Sequence, residues 1–174
     1  MDNIVISTSI TVDTNKVLQL YPNPSQDEKK PTTLHLTDGC AFMVASGATD
    51  VTGQGTWQLS FKANVGDILR AFAASCSNNF DDAVLLYGFT IISGKPVTSP
   101  FQYKEFTKSD VVGGLATPLP ARIIDGAKFL FFQGDVNMAG KATYNVNFAL
   151  YTRVNGKPTL KGYYSWDPTI EVLG

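Results

Sequence analysis

The last third of the chain, Lys141 to Gly174, limits the possible folds more than any other stretch. It alternates up to Phe148-Ala149-Leu150-Tyr151, breaks at Val154-Asn155-Gly156 and resumes through Gly162-Tyr163-Tyr164-Ser165-Trp166-Asp167-Pro168. Period-two alternation interrupted by Asn-Gly describes an antiparallel hairpin with one buried face, here followed by an aromatic-rich corner and a short final strand. An all-β fold follows before any chemistry is considered.

Upstream segments repeat the pattern. Ile4, Ile6, Thr8, Ile10 and Val12 share one face of an opening strand, and Asp13-Thr14-Asn15-Lys16 reads as a turn into Val17-Leu18-Gln19-Leu20, completing a first hairpin. Residues 21–33 carry Pro22, Pro24 and Pro31 and read as a mobile surface loop. Cys40–Ala45, Thr56–Ala63 and Ile68–Ser75 read as strands. Ala83–Ile92 reads as a central strand closed by a hairpin at Gly94, and Val97–Phe106 as an edge strand guarded by Pro96 and Pro100. Residues 107–121 read as a long connection between sheets. Lys128-Phe129-Leu130-Phe131-Phe132-Gln133 is apolar on both faces, which places it mid-sheet, under the opposing sheet on one side and a loop or second subunit on the other. About ten short strands with no 3.6-residue period predict a single domain over 1–174: a two-sheet antiparallel β-sandwich of jelly-roll or immunoglobulin-like type.

A chain of 174 residues buries roughly 70% of the surface its unfolded form exposes, so one filled core is expected. Net charge is −1, from 14 basic and 15 acidic residues, with no basic cluster beyond Lys29-Lys30. Nucleic acid is therefore excluded as an expected partner. The start, Met1-Asp2-Asn3-Ile4-Val5-Ile6-Ser7, has neither the positive segment nor the apolar stretch of a secretory signal. No run approaches the ~20 apolar residues of a spanning helix. A cytoplasmic protein is the expectation, although a chain whose leader had been removed would look the same. Cys40 and Cys76 can pair only within the ~6 Å a disulfide permits, and two free thiols are expected.

Chemistry-bearing residues are sparse. The one histidine, His35, would have to serve any Ser-His-Asp or Cys-His mechanism, and the bland reading is a packed or hydrogen-bonded strand residue. One His and two Cys make zinc a poor fit. Asn78-Asn79-Phe80-Asp81-Asp82 groups oxygen-bearing side chains of the type Ca²⁺ takes, with Asn78, Asp81 and Asp82 as its ligands, or that hold sugar hydroxyls. The competing reading is a turn whose side chains cap local backbone. Trp166 and Asp167, beside Tyr163 and Tyr164, offer a stacking surface with a carboxylate, against the reading that Trp166 anchors the corner and Asp167 caps it.

Several segments together carry a resemblance: Ile4-Val5-Ile6 to Val12-Asp13, Gly53-Gln54-Gly55-Thr56, Val65-Gly66-Asp67-Ile68-Leu69-Arg70, Ser77-Asn78-Asn79-Phe80, Val84-Leu85-Leu86-Tyr87, Phe148-Ala149-Leu150-Tyr151 and Gly162 to Pro168. In order and spacing they resemble the AidA/PixA-type inclusion body proteins of bacteria. That likeness implies a small β-rich protein made in quantity, in some cases packed into intracellular inclusions, often under density-dependent control in host-associated species. It brings no established catalytic residues. PixA is methionine-rich and this chain has three Met, so a methionine-storage role does not carry over. The first functional expectation is a non-enzymatic, self-associating homodimer or higher oligomer without cofactor, its contact drawn from the 127–135 strand or the 95–106 edge. The alternative is a lectin-like carbohydrate-binding module using Asn78, Asn79, Asp81, Asp82, Trp166 and Asp167, with Ca²⁺ as an optional cofactor. A hydrolase around His35 ranks behind both.

Overall fold

The structure, a computed structural model, describes residues 3–174; Met1 and Asp2, the first residues of the start read for a secretory signal, lie outside them. In chain order the strands are β1 (Val5–Val12), β2 (Thr32–Thr33), β3 (Ala41–Ser46), β4 (Thr49–Thr52), β5 (Gln58–Lys62), β6 (Ile68–Ser75), β7 (Ala83–Gly94), β8 (Gln102–Val112), β9 (Arg122–Asp135), β10 (Gly140–Val154), β11 (Lys157–Trp166) and β12 (Thr169–Leu173). A short helix, α1 (Thr14–Leu20), follows β1. One sheet runs β3-β1-β6-β9-β8, the other β2-β11-β10-β12-β5-β4, and β7 lies on the free edge of β10.

The two sheets stack as the alternation requires. Ile6, Ile10 and Val12 of β1 and Leu69 and Ala71 of β6 point into the same core as Tyr144, Val146, Phe148 and Leu150 of β10, Tyr164 and Trp166 of β11 and Leu59 and Phe61 of β5, all at most 1% exposed. Phe148 and Tyr164 stack at 5.6 Å between ring centroids. Burial pushes the Tyr144 and Tyr164 hydroxyls up to about 12, so both enter the core neutral.

The sandwich and the closing hairpin match the sequence reading. β10 and β11 are antiparallel, and Asn155 and Gly156 take the positive φ that their turn needs. Several pairings differ from it. The sheets are mixed: β1 pairs β6, β12 pairs β5 and β11 pairs β2 in parallel. The expected first hairpin is absent, because Asp13 accepts from Lys16 N at 3.0 Å and starts α1, whose Val17 is buried. Seven residues are two turns, too short to display a helical period. β7 is an outer strand paired with β10 alone among the described residues, so the hairpin at Gly94 does not form. β8 continues to Val112 and pairs with β9 in the same sheet, which leaves only 113–121 as connection, within a sheet and not between sheets. Segment 21–33 runs over the surface but is pinned: Gln26 Nε2 donates to Lys161 O at 2.8 Å and Tyr87 Oη to Glu28 O at 3.0 Å. Cys40 is buried, Cys76 exposed, and both are free.

Gly94 ends β7 at φ +90°, where an added Cβ would lie 2.4 Å from Lys141 O and 2.9 Å from Ala142 Cα. Both contacts are backbone of the β10 ladder and cannot swing away. Gly94→Ala is expected to lower stability by about 2–3 kcal/mol, read as a reduced urea midpoint with unchanged slope. An unshifted midpoint would show that the β7–β10 ladder is looser than this geometry.

Candidate functional site

One unpartnered feature is an arm. β9 pairs with β6 only from Phe132 to Asp135, whereas β8 follows β9 all the way to Arg122. Beyond Phe132 the two strands leave the sandwich as a ribbon whose far end carries Val111, Leu115, Leu119 and Ile123, between 64% and 89% exposed. Arg70 braces its base. Its Nε donates to Gln133 Oε1 at 2.9 Å, and its guanidinium lies 5.4 Å and 5.6 Å from the ring centres of Phe106 and Phe131.

Asn78 to Asp82 form the crossing from β6 to β7, and this turn is hydrogen-bonded within itself. Asn79 Oδ1 accepts from Ser75 N and Val84 N, each at 2.9 Å, and Ser77 Oγ accepts from Asp81 N at 3.0 Å. Asn78 and Asn79 both take positive φ, which asparagine tolerates. Arg153 donates to Phe80 O at 2.5 Å and to Asn79 O at 3.4 Å. A guanidinium therefore holds two backbone carbonyls of the turn. Among the described residues no three His, Cys, Asp or Glu side chains gather as a metal set.

The structure does not bring this turn together with the corner. Ala83 faces Tyr151 on β10, whereas Asp167 falls beside Asn145, six residues or about 20 Å away along the strand. Trp166 is 1% exposed, so its ring is core and offers no stacking face. Asp167 is half-buried, and burial pushes its carboxyl up.

Around Asp167 lies a polar row on the outer face of the second sheet. Asn145 sits opposite Thr90 on β7, and Asn147 opposite Gly88 on β7 and Ser165 on β11. Tyr144 N donates to Pro168 O at 2.9 Å, which carries the β11 register past the break and sets Asp167 against Asn145. The Oδ1 atoms of Asn145 and Asn147 are buried without a hydrogen-bond partner among the described residues. Unpaired buried carbonyls cost about 1–3 kcal/mol each. Next along the face, Tyr87 and Tyr163 meet edge to face at 5.6 Å. Burial, then the Glu28 carboxylate, pushes the Tyr87 hydroxyl up to about 12. The sequence reading missed both asparagines, yet Tyr144-Asn145-Val146-Asn147-Phe148 already places two amides together opposite a buried stripe.

His35 is exposed, with its ring centre 6.4 Å from that of Tyr21, while Tyr21 Oη accepts from His35 N and donates to Asp38. Cys40 lies beneath. Burial, then the Asp38 charge, pushes its thiol up, which keeps it protonated and a poor nucleophile. No helix is long and apolar enough to cross a membrane among the described residues.

Comparison with known proteins follows this architecture. The family model described as PixA, inclusion body protein, matches residues 4–172. A crystal structure of an inclusion body protein of the PixA family from Burkholderia cenocepacia J2315 superposes with a TM-score of 0.85 at 29% identity, over 99% of this chain and 98% of that one. Among curated proteins nothing matches. With the family model spanning nearly the whole sandwich, arm included, the chain belongs to the PixA inclusion body protein family.

Proposed function

We propose that this protein is a non-enzymatic, self-associating inclusion-body protein whose copies meet through the arm of β8 and β9, made at high density in a host-associated bacterium. The observation that carries this reading is the arm itself. A two-stranded ribbon is marginally stable in water on its own, and this one ends in a cluster of exposed leucine, isoleucine and valine. Such a patch marks a contact surface. A net charge of −1 sets almost no electrostatic barrier between copies. Membership of an inclusion body protein family supports the same reading.

A carbohydrate-binding role is the second reading, and the polar row favours it over the Asn78–Asp82 turn first expected to supply it. Asn145, Asn147 and Asp167 offer amide and carboxylate groups in register beside the Tyr87–Tyr163 pair, a combination that matches the hydroxyls and flat faces of a sugar ring.

Light scattering and sedimentation from micromolar to millimolar concentration check the first reading. The apparent mass is expected to rise with concentration, and Leu115→Glu with Leu119→Glu is expected to weaken association by about ten-fold or more for each leucine removed from an apolar contact. A strict monomer at high concentration would defeat it. For the second, a glycan array is expected to show binding that Asn145→Ala and Asn147→Ala abolish and that a calcium chelator leaves intact. Flat signals with the unaltered protein would leave the row as surface alone.

A further inference from the structure

The arm leaves the sandwich at a fork. β6 pairs with β1 through Ser75, but its other edge pairs with β9 only as far as Ala71 opposite Phe132. From there β6 continues toward the crossing into β7, and β9 departs with β8. The β6 edge at 72–75 and the β9 edge at 123–131 are thus both unpaired among the described residues, and β7 presents its own open edge beside them. Between these edges lies a hollow of about 430 Å³ lined by Phe72, Leu85, Leu86, Phe129, Leu130 and Phe131.

Such a slot selects its occupant. Open ladder edges present repeating N–H and C=O groups, which an extended chain satisfies and a compact small molecule does not. The apolar lining asks that chain for isoleucine and leucine. β8 has an open outer edge too, but the hollow beside its base is lined by Ser99, Gln102, Lys104, Gln133 and Asp135 and is polar. The apolar edge is that of β9.

The segment that needs cover also supplies it. β9 carries a bulge at Asp125–Gly126, so antiparallel pairing of 123–131 with its own copy, centred on Ala127, sets that bulge against Lys128 and brings Ile124 opposite Phe129 and Ile123 opposite Leu130 on both sides of the axis. Ile123 is 67% exposed in the single chain, and Ile124 and Leu130 are exposed with it. The same register puts Lys128 opposite Asp125 and Gly126 and so avoids like charges face to face. Alanine at the axis leaves room for two backbones, and the nine residues of this edge span about 30 Å.

We propose that two copies join by antiparallel pairing of the β9 edge, residues 123–131, about a twofold axis at Ala127, each arm filling the fork of the other. This rests on the reading of the protein as self-associating and names the surface. The four arm strands then form one continuous sheet, and the contact is isologous.

Cross-linking tests the register. Directly opposed residues on antiparallel strands lie within disulfide reach, so Ala127→Cys in a Cys76→Ser background is expected to yield a disulfide-linked dimer on mild oxidation. Thr107→Cys on β8 in the same background is expected to stay monomeric on a denaturing gel. Hydrogen exchange of the unaltered protein gives a second readout: amides of 123–131 are expected to slow by about ten-fold or more between dilute and concentrated samples. Association by light scattering without the Ala127→Cys cross-link and without that protection overturns the β9 pairing while leaving self-association standing. A monomer at every concentration overturns both.

Discussion

Strand β10 governs the second sheet because its fifteen residues serve three ladders. β7 runs along one edge, while β12 and then β11 run along the other in a single register that continues past Asp167 and Pro168. The alternation of β10 makes that register hard to alter. Sliding it by one position would turn Tyr144, Val146, Phe148 and Leu150 out to solvent and drive Asn145 and Asn147 into the core. The polar row on the outer face is thus placed by the same constraint that fills the core.

The first sheet has no equivalent spine. Its β6 must deliver the chain across the sandwich to β7, and it does so through a turn in which Asn79 closes hydrogen bonds to both strands. β6 keeps its ladder to β1 through Ser75 while its ladder to β9 stops after four pairs, because β9 leaves with β8. The fork lies between the strand that stays and the pair that departs. Arg70, set on the last paired stretch of β6 and spread against Phe106 and Phe131, fixes the direction in which the arm departs.

Where each face of a strand meets a different environment, the fold can be read from the sequence. Lys141 to Leu173 shows this, since buried and solvated positions alternate there and Asn155-Gly156 marks the turn. Pairing partners are less legible. Nothing in Ile68–Ser75 indicates that it lies parallel to β1, because parallel and antiparallel neighbours ask the same of a half-buried strand. α1 was hidden by its length, and the arm by its composition: Phe129 to Phe132 look like the middle of a sheet, and only Phe132 is buried in the chain by itself. At the candidate site, Asn78 to Asp82 drew notice because polar residues were consecutive, yet consecutive Asn and Asp serve their own turn. Asn145 and Asn147 lie two apart on a strand, the spacing at which side chains share a face.

An isologous contact closes on itself. Pairing two β9 edges consumes both and leaves no copy of that surface to recruit a third chain, so it makes dimers and not a lattice. An inclusion needs growth, and growth needs a second kind of contact on the dimer. The single chain offers material for one: Phe80, 77% exposed at the crossing turn, and Val65, 70% exposed between β5 and β6, both lie outside the arm. Edge strands β3 and β4 bound the sheets at their far ends, and β4 is only four residues with Asp50 held by Lys62 at 2.8 Å. A short, charged edge such as β4 resists uncontrolled strand addition. Growth through side-chain contacts between pre-formed dimers packs them densely without adding a strand there.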